Sequence, residues 1–295
     1  MKGKLYTTYL LLFLSSIISL RCSTPSKARS AASNEQIVFF DDFSGERLDT
    51  SKWTIQVTRT NVVNNELQAY VDSAATIYFV RGDQAEGASN GALVLQPHYA
   101  PGYTTKEGKK FDFISGRIDS RNKAEFMYGT FSARVKVTDG SGLWPAWWML
   151  GKGRWPESGE IDIMEYIGEK DWVSSAVHGP GYSGETPFVD RLYFENNNDA
   201  TQWHIYTVEW GPDTLLFKYD DVSVFRVTRP MVEHFGKWVF DNSKYLILNF
   251  AVGGGYPVKI NGVKEPYFGL PPATAELIKS KKGKMLVDWV KVTKR

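Results

Sequence analysis

The sequence has few of the features that mark membrane, disulfide-stabilised or nucleic-acid-binding proteins. It contains a single cysteine, Cys22, so no disulfide can form within the chain and its stability must come from packing. Its 35 basic and 33 acidic residues nearly cancel, which gives no electrostatic basis for a nucleic-acid partner. Its apolar stretch at residues 9–20 is too short to span comfortably a hydrocarbon core about 30 Å thick. The composition implies neither a nucleic-acid nor a protein partner.

The first 34 residues predict export. Lys2 and Lys4 precede the apolar stretch, and together they have the layout of a signal peptide over residues 1–22. Cys22 ends that stretch, as at a bacterial lipoprotein site where the thiol is acylated, although Arg21 stands where such sites have a small residue. Secretion without a lipid anchor is the alternative. We expect an exported bacterial protein, either secreted or a cell-surface or periplasmic lipoprotein that meets the membrane only through that anchor.

The rest of the chain predicts one β-rich domain. Residues 23–34 are small and polar, which is typical of a flexible tether. From there turn signals recur without a second linker, so residues 35–295 are expected to form a single domain. Between the turns lie short stretches of alternating apolar and polar residues, such as residues 129–137. Many short strands at a spacing of roughly 8–12 residues indicate an all-β sandwich or barrel.

Three acids lie within a β-rich apolar stretch at residues 159–168. In a strand, Glu160 and Asp162 share one face, and Glu165 joins them if a β-bulge near Met164 absorbs one residue. The two glutamate carboxyls would then lie about 5–6 Å apart, the separation of glycosidases that work by double displacement. Like charges raise one another's pKa values, which favours a protonated acid beside an ionised nucleophile. A calcium site built on Glu160 and Asp162, or a solvated strand face, is the alternative.

A tryptophan-rich stretch at residues 142–151 precedes the acids. Strand alternation puts Trp144 and Trp148 on one face, where flat indole rings would suit the apolar faces of sugar rings. A core cluster is the alternative, and it is the interpretation we adopt for Trp147, which points the other way.

These segments resemble glycoside hydrolase family 16, in particular its laminarinase-like endo-β-1,3-glucanases. The resemblance extends over about residues 36–295. It is carried by residues 40–45, 64–70, 115–118, 143–150, 159–168, 177–182, 204–210, 246–254 and 287–290. It implies a curved jelly-roll β-sandwich with an open concave substrate cleft. It also implies that Glu160 is the nucleophile, that Glu165 is the acid/base and that Asp162 hydrogen-bonds to the nucleophile, with no cofactor for catalysis.

The resemblance implies further site residues. Trp144 and Trp148 match tryptophans of the cleft. The other positions expected near substrate are Asn65, Glu66, Arg117 and His178. A hydrogen-bonded histidine at the end of a strand is the alternative for His178. Family members often bind a structural calcium ion on the convex face, which would use Asp42 and Asp288 here, with unligated surface acids as the alternative.

Three functions are compatible with this sequence. The first is an exported, retaining endo-β-glucanase that cuts internal β-1,3 bonds of laminarin-like glucans, with mixed-linkage glucans as a further substrate. The second uses the same fold on a galactan such as agar, porphyran or carrageenan, and a cleft for sulfated chains should carry extra basic residues. The third is a non-catalytic glycan-binding sandwich, which would not need the three acids. Tyr256 stands where relatives more often have tryptophan, so it leaves the linkage preference open.

Overall fold

Short strands make up most of the described chain. The computed structural model describes residues 35–294 other than 61 and 196, so the predicted signal peptide at 1–22, its Cys22 and the predicted tether at 23–34 lie outside the described residues. The strands are β1 (Gln36–Asp41), β2 (Thr54–Ile55), β3 (Gln68–Tyr70), β4 (Ile77–Val80), β5 (Ala92–Leu95), β6 (His98–Thr104), β7 (Lys110–Ser115), β8 (Arg117–Asp119), β9 (Glu125–Phe126), β10 (Gly129–Val137), β11 (Leu143–Gly151), β12 (Glu160–Glu165), β13 (Trp172–His178), β14 (Val189–Tyr193), β15 (His204–Trp210), β16 (Thr214–Tyr219), β17 (Val222–Thr228), β18 (Lys244–Val252) and β19 (Met285–Lys294).

Helices are few and short. They are a 3-10 turn at Gly82–Ala85, α1 (Arg229–Glu233), α2 (Gly255–Asn261) and α3 (Pro272–Lys279). Proline opens α1 and α3 at one of the first two positions, where a missing N–H costs no helical hydrogen bond. Gly262 ends α2 with φ 71°, a left-handed conformation that glycine adopts without steric cost. Within the described residues, every helix is too short or too polar to cross a membrane.

Two eight-stranded sheets form the body of the protein. The first, which we call the opposite sheet, has the order β17-β16-β15-β10-β19-β5-β4, with β1 also paired to β19. The second, which we call the cleft sheet, has the order β14-β13-β12-β11-β18-β8-β2, with β9 also paired to β18. A third sheet, β3-β7-β6, has three strands. All pairs in the two large sheets are antiparallel. The prediction of an all-β jelly-roll sandwich is confirmed.

Strand alternation decides which side chains enter the core. On β10, Phe131, Ala133 and Val135 are buried, and they belong to the same apolar cluster as Trp147 and Met149 of β11. That cluster joins residues of both large sheets, so the core lies between them. Each large apolar side chain buried there contributes roughly 1.5–3 kcal/mol. The prediction that Trp147 belongs to the core is confirmed.

Candidate active site

A bulge in β12 brings the three acids to one face of the cleft sheet. Glu160 pairs with Leu150 of β11, and Asp162 pairs with Trp148. The register then shifts, so that Glu165 pairs with Ala146 and one extra residue is absorbed between Asp162 and Glu165. The same shift occurs in the pairing with β13. The predicted β-bulge is therefore confirmed, and it returns Glu165 to the face of the other two acids.

The opposite face of β12 anchors it to the core. Ile161, Ile163 and Met164 are fully buried, whereas Glu160 and Glu165 retain partial exposure. The apolar side chains fix the orientation of the strand, because turning it over would bury the charged groups and expose the isoleucines. Glu165 therefore does not point into the apolar interior.

A buried lysine holds the turn that leads into Glu160. The ammonium Nζ of Lys244 is fully buried and donates to the carbonyl oxygens of Ser158 at 2.9 Å and Val239 at 3.1 Å, and to Oδ1 of Asn242 at 3.1 Å. Burial lowers the pKa of Lys244 to about 7. No local pattern in the sequence indicates this role for Lys244, because it lies 86 positions from Ser158 in the chain.

Burial and mutual repulsion raise the pKa values of all three acids. Burial, followed by the charge of Asp162, raises the pKa of Glu160 to about 8. Burial raises the pKa of Glu165 to about 7 and the pKa of Asp162 well above its usual range, with the charge of Glu165 as the second cause for Asp162. Because the three carboxyls interact, protons leave them in steps that belong to the group. The group thus retains protons near neutral pH, as acid catalysis requires.

Trp155 is a site residue that was not predicted from the sequence. Its indole Nε1 donates to Oε2 of Glu160 at 2.7 Å, and this hydrogen bond lowers the pKa of that acid against the effect of burial. The indole is 45% exposed, and its ring centroid lies 6.5 Å from that of His178. A Trp-Pro pair just before the acidic strand was the available signal.

Trp144 donates a hydrogen bond to the third acid, Glu165, as Trp155 does to the first. Its Nε1 donates to Oε1 of Glu165 at 3.0 Å. The indole is only 9% exposed because it packs edge-on against Tyr256, with ring centroids 5.6 Å apart. The Tyr256 hydroxyl in turn lies 3.1 Å from Oγ of Ser174, which pairs with Glu165 across the strands. Trp144 therefore contacts an acid directly, whereas the sequence predicted a sugar-stacking surface.

Trp148 pairs with Asp162 across β11 and β12, and its indole is partly exposed. Its Nε1 donates to Oδ1 of Asn249 at 2.6 Å, and the Asn249 amide donates to the Tyr70 hydroxyl at 3.0 Å. The guanidinium of Arg117 lies 5.0 Å from the Trp148 ring centroid, in the range of a cation–π contact. The predicted residues Trp148 and Arg117 are thus neighbours in the cleft.

The loop before β3 supplies Glu66 and Asn65. Glu66 accepts hydrogen bonds from Gln68 at 2.7 Å and from Asn64 at 3.3 Å. Burial raises the pKa of Glu66 above its usual value, and the hydrogen bond from Gln68 and the charge of Arg117 only partly oppose that rise. The charge of Glu66 also raises the pKa of Glu165, so this loop faces the acidic strand. Asn65 is exposed on the same loop and has a left-handed backbone with φ 54°.

His178 completes the group around the acids. It pairs with Glu160 across β12 and β13, and its Nε2 lies 3.3 Å from Oδ2 of Asp162. His178 therefore lies beside the predicted nucleophile Glu160, and not on the side of the leaving group where the sequence placed it.

The two predicted calcium ligands are already engaged by protein donors. The carboxylate of Asp288 is fully buried and accepts hydrogen bonds from the Ser89 N–H at 2.8 Å, the Ser89 hydroxyl at 3.0 Å and the guanidinium of Arg134 at 2.6 Å. Asp42 accepts from the Asn90 amide at 3.0 Å. Calcium requires six to eight oxygen ligands, and the cation of Arg134 already neutralises Asp288. Asp42 and Asp288 therefore do not fit a calcium site.

Comparisons with known proteins agree with this geometry. The family model described as glycosyl hydrolases family 16 matches residues 52–291. A β-glucanase of Rhodothermus marinus is 32% identical over 258 residues, which cover 83% of this chain and 85% of that protein. A glucan endo-1,3-β-glucosidase A1 of Niallia circulans is 30% identical over 294 residues, and the match covers 92% of this chain but 39% of that protein.

A solved structure gives the same result. The endo-β-1,3-glucanase of Pyrococcus furiosus superposes with a TM-score of 0.74 at 32% identity, over 88% of this chain and 94% of that one. The match of the family model covers most of the described residues, including the acidic strand and both tryptophans that serve it. The chain belongs to the glycosyl hydrolases of family 16.

Proposed function

We propose that the protein is an endo-acting β-1,3-glucanase that hydrolyses laminarin-like glucans with retention of anomeric configuration. One observation carries the proposal: the bulged β12 presents three carboxyls on one face, and a tryptophan N–H donates to each of the outer two. The names of the similar proteins, a β-glucanase, a glucan endo-1,3-β-glucosidase and an endo-β-1,3-glucanase, support the substrate class.

The first chemical step forms a covalent glycosyl-enzyme. Glu165 donates its proton to the glycosidic oxygen as the bond to the leaving chain breaks, while a carboxylate oxygen of Glu160 attacks the anomeric carbon. Burial raises the pKa of Glu160 to about 8 and that of Glu165 to about 7, so the interacting pair holds a proton near neutral pH that can pass to the glycosidic oxygen. The family resemblance, and not the difference between these two pKa values, makes Glu165 the donor. The Trp155 N–H stabilises the ionised form of Glu160 that attacks.

The second step releases the product. Glu165, now ionised, accepts a proton from a water molecule, and the resulting hydroxide displaces Glu160 from the anomeric carbon. Asp162 lies beside the nucleophile and tunes its protonation through charge. Two inversions at the same carbon give net retention, and no cofactor takes part.

Substrate contacts come from the residues beside the acids. The ring of Trp148 is partly exposed and can stack on the apolar face of a sugar. The guanidinium of Arg117 makes a cation–π contact with the same ring. Asn65 and Glu66 belong to the loop before β3, and their side chains supply polar groups that can bind glucan hydroxyls. His178 lies close to Glu160 and Asp162, within reach of the sugar that reacts.

A substrate panel tests the polymer and the mode of cleavage. Laminarin, lichenan, agarose and carrageenan are incubated with the purified protein and the products are sized. Rapid appearance of a range of laminari-oligosaccharides supports an endo-β-1,3-glucanase. Cleavage of agarose or carrageenan alone would instead support a galactanase, and binding of laminarin without cleavage would support a glycan-binding protein.

The stereochemistry needs a separate measurement. Early in laminarin hydrolysis, NMR spectra of the new reducing ends should contain the β-anomer before mutarotation produces the α-anomer. Initial formation of the α-anomer would contradict double displacement while leaving the substrate assignment intact.

We further propose that the chain is exported and that Cys22 is acylated, in accordance with the signal-peptide pattern of residues 1–22. Growth of a producing bacterium with labelled palmitate should label the protein, and Cys22→Ser should lose the label. An unlabelled protein recovered from the medium would support secretion without an anchor.

A further inference from the structure

Three side chains of the cleft that serve hydrolysis also have the spacing of metal ligands. Glu160, Asp162 and His178 each present one ligand atom, and these atoms lie within 4.8 Å of one another. They form the one such group of three or more acids, histidines or cysteines among the described residues. Glu165 lies outside the group, so the cluster is centred on the side of Glu160.

An unpartnered buried oxygen points into this cluster. The Asp162 side chain is only 5% exposed, and its Oδ2 has no hydrogen-bond partner among the described residues. Nε2 of His178 lies 3.3 Å from that oxygen without forming a hydrogen bond. Buried polar atoms are nearly always paired, so this carboxylate oxygen is free to accept a proton, a water molecule or a metal ion.

The spacing matches the coordination shell of zinc. Zinc binds histidine nitrogen and carboxylate oxygen at about 2.0–2.2 Å in tetrahedral sites, which places neighbouring ligand atoms about 3.3–3.5 Å apart. The 3.3 Å between His178 Nε2 and Asp162 Oδ2 equals one edge of such a tetrahedron. Glu160 accepts the Trp155 hydrogen bond at Oε2 and its carboxyl also hydrogen-bonds to Asp162, so a metal ion would take the place of the proton that the two carboxyls share, with a Glu160 oxygen as the third ligand.

We propose that Glu160, Asp162 and His178 bind one zinc ion, or a divalent transition metal of the same ligand preference, with water at the fourth position. One imidazole and two carboxylates suit zinc, whereas calcium and magnesium prefer all-oxygen sites with more ligands. The positive charge of the ion compensates the negative charges of two neighbouring carboxylates, and the ion also gives Oδ2 of Asp162 a partner. Neither the reaction nor the family match assigns this site.

Metal binding at this cluster inhibits the enzyme, a consequence that rests on the proposed function. A Glu160 oxygen bound to zinc cannot attack the anomeric carbon, and the ion occupies space that the reacting sugar needs. Inhibition is therefore competitive with glucan and is reversed by a chelator. Exposure to zinc would switch the exported enzyme off without unfolding it.

Calorimetric titration with zinc chloride alone tests the site without relying on activity. The wild-type protein should bind one zinc ion, and His178→Gln and Asp162→Asn should each bind it about tenfold or more weakly. His234→Ala is the matched control, because His234 is exposed at the end of α1 and should leave binding unchanged. Circular dichroism confirms that each variant is folded, and calcium chloride should give no comparable binding.

The outcomes separate this proposal from the proposed function. A wild-type protein that binds no zinc, or variants His178→Gln and Asp162→Asn that both bind zinc as tightly as wild type, would overturn the site. Laminarin hydrolysis by chelator-treated protein is measured in parallel. Hydrolysis without zinc binding contradicts only this proposal, and zinc binding without hydrolysis contradicts only the proposed function.

Discussion

Trp155 donates its indole N–H to the carboxyl of Glu160 across 2.7 Å, and Trp144 donates in the same way to Glu165 across 3.0 Å. The two outer acids of β12 thus have one aromatic donor each. Both hydrogen bonds favour the ionised carboxylate and oppose the effect of burial. The donors therefore tune two acids that burial alone would keep protonated.

Trp155→Phe should move the acidic limb of the pH profile of kcat/KM to higher pH. The variant loses the hydrogen bond that lowers the pKa of Glu160, so that pKa rises and less of the nucleophile is ionised at low pH. We expect a loss of roughly tenfold on the acidic side, the size of a hydrogen bond to a charged group. Trp289→Phe on β19 is the control. An acidic limb that does not move would contradict the role of Trp155.

Trp144→Phe should move the alkaline limb instead. Its N–H lowers the pKa of Glu165, so removal of the N–H raises that pKa and keeps the acid protonated to higher pH. The alkaline limb should therefore shift upward while the acidic limb stays in place. Activity is measured on laminarin across the neutral range. An unchanged alkaline limb would show that this contact does not tune the acid.

Glu160→Gln should lower kcat for laminarin by about 1,000-fold or more, because the amide is a far weaker nucleophile than a carboxylate. Glu157→Gln is the matched control. Glu157 is exposed three residues earlier and faces none of the three acids by any described contact, so its variant should keep wild-type activity. Wild-type hydrolysis by Glu160→Gln would falsify the nucleophile assignment.

The same variant should also change stability in a pH-dependent way. The folded-state pKa of Glu160, about 8, exceeds its ordinary value of 4.5, so the folded protein holds a proton that the unfolded chain releases. Stability from this group is present at low pH and is lost as pH rises from about 4.5 to about 8.

Glu160→Gln removes that loss. At pH 8 its free energy of unfolding should exceed that of wild type by at least about 1 kcal/mol, since one pKa unit corresponds to about 1.4 kcal/mol. Near pH 4 the two proteins should be equally stable. Denaturant titrations at both pH values provide the measurement, and a difference that stays constant with pH would contradict the shifted pKa.

Calcium should leave thermal stability unchanged. Arg134 and Ser89 already engage Asp288, so neither added calcium nor EDTA should shift Tm appreciably. An ion at a hundredfold excess over its Kd would raise the free energy of unfolding by about 2.7 kcal/mol, or Tm by several degrees. A rise of that size on adding millimolar calcium would show that the ion displaces these donors.

Local sequence patterns were sufficient for the fold class and for the catalytic strand. Alternation on β10 and β12 predicted which side chains enter the core, because a strand turns successive side chains to opposite faces. The one-residue offset of Glu165 predicted the bulge that the register of β11 and β12 contains. The family resemblance added the jelly-roll topology and the residues Arg117 and Glu66.

The chain's own residue pattern thus determined the strands, their two faces and the order of the three acids. The tertiary structure alone decided which distant groups meet them: Lys244 at the turn before Glu160, Tyr256 against Trp144, and Arg134 on the Asp288 carboxylate. The physical reason is that the period of a strand fixes the direction of a side chain within a few residues. Which strand becomes its neighbour depends on packing between segments many tens of residues apart.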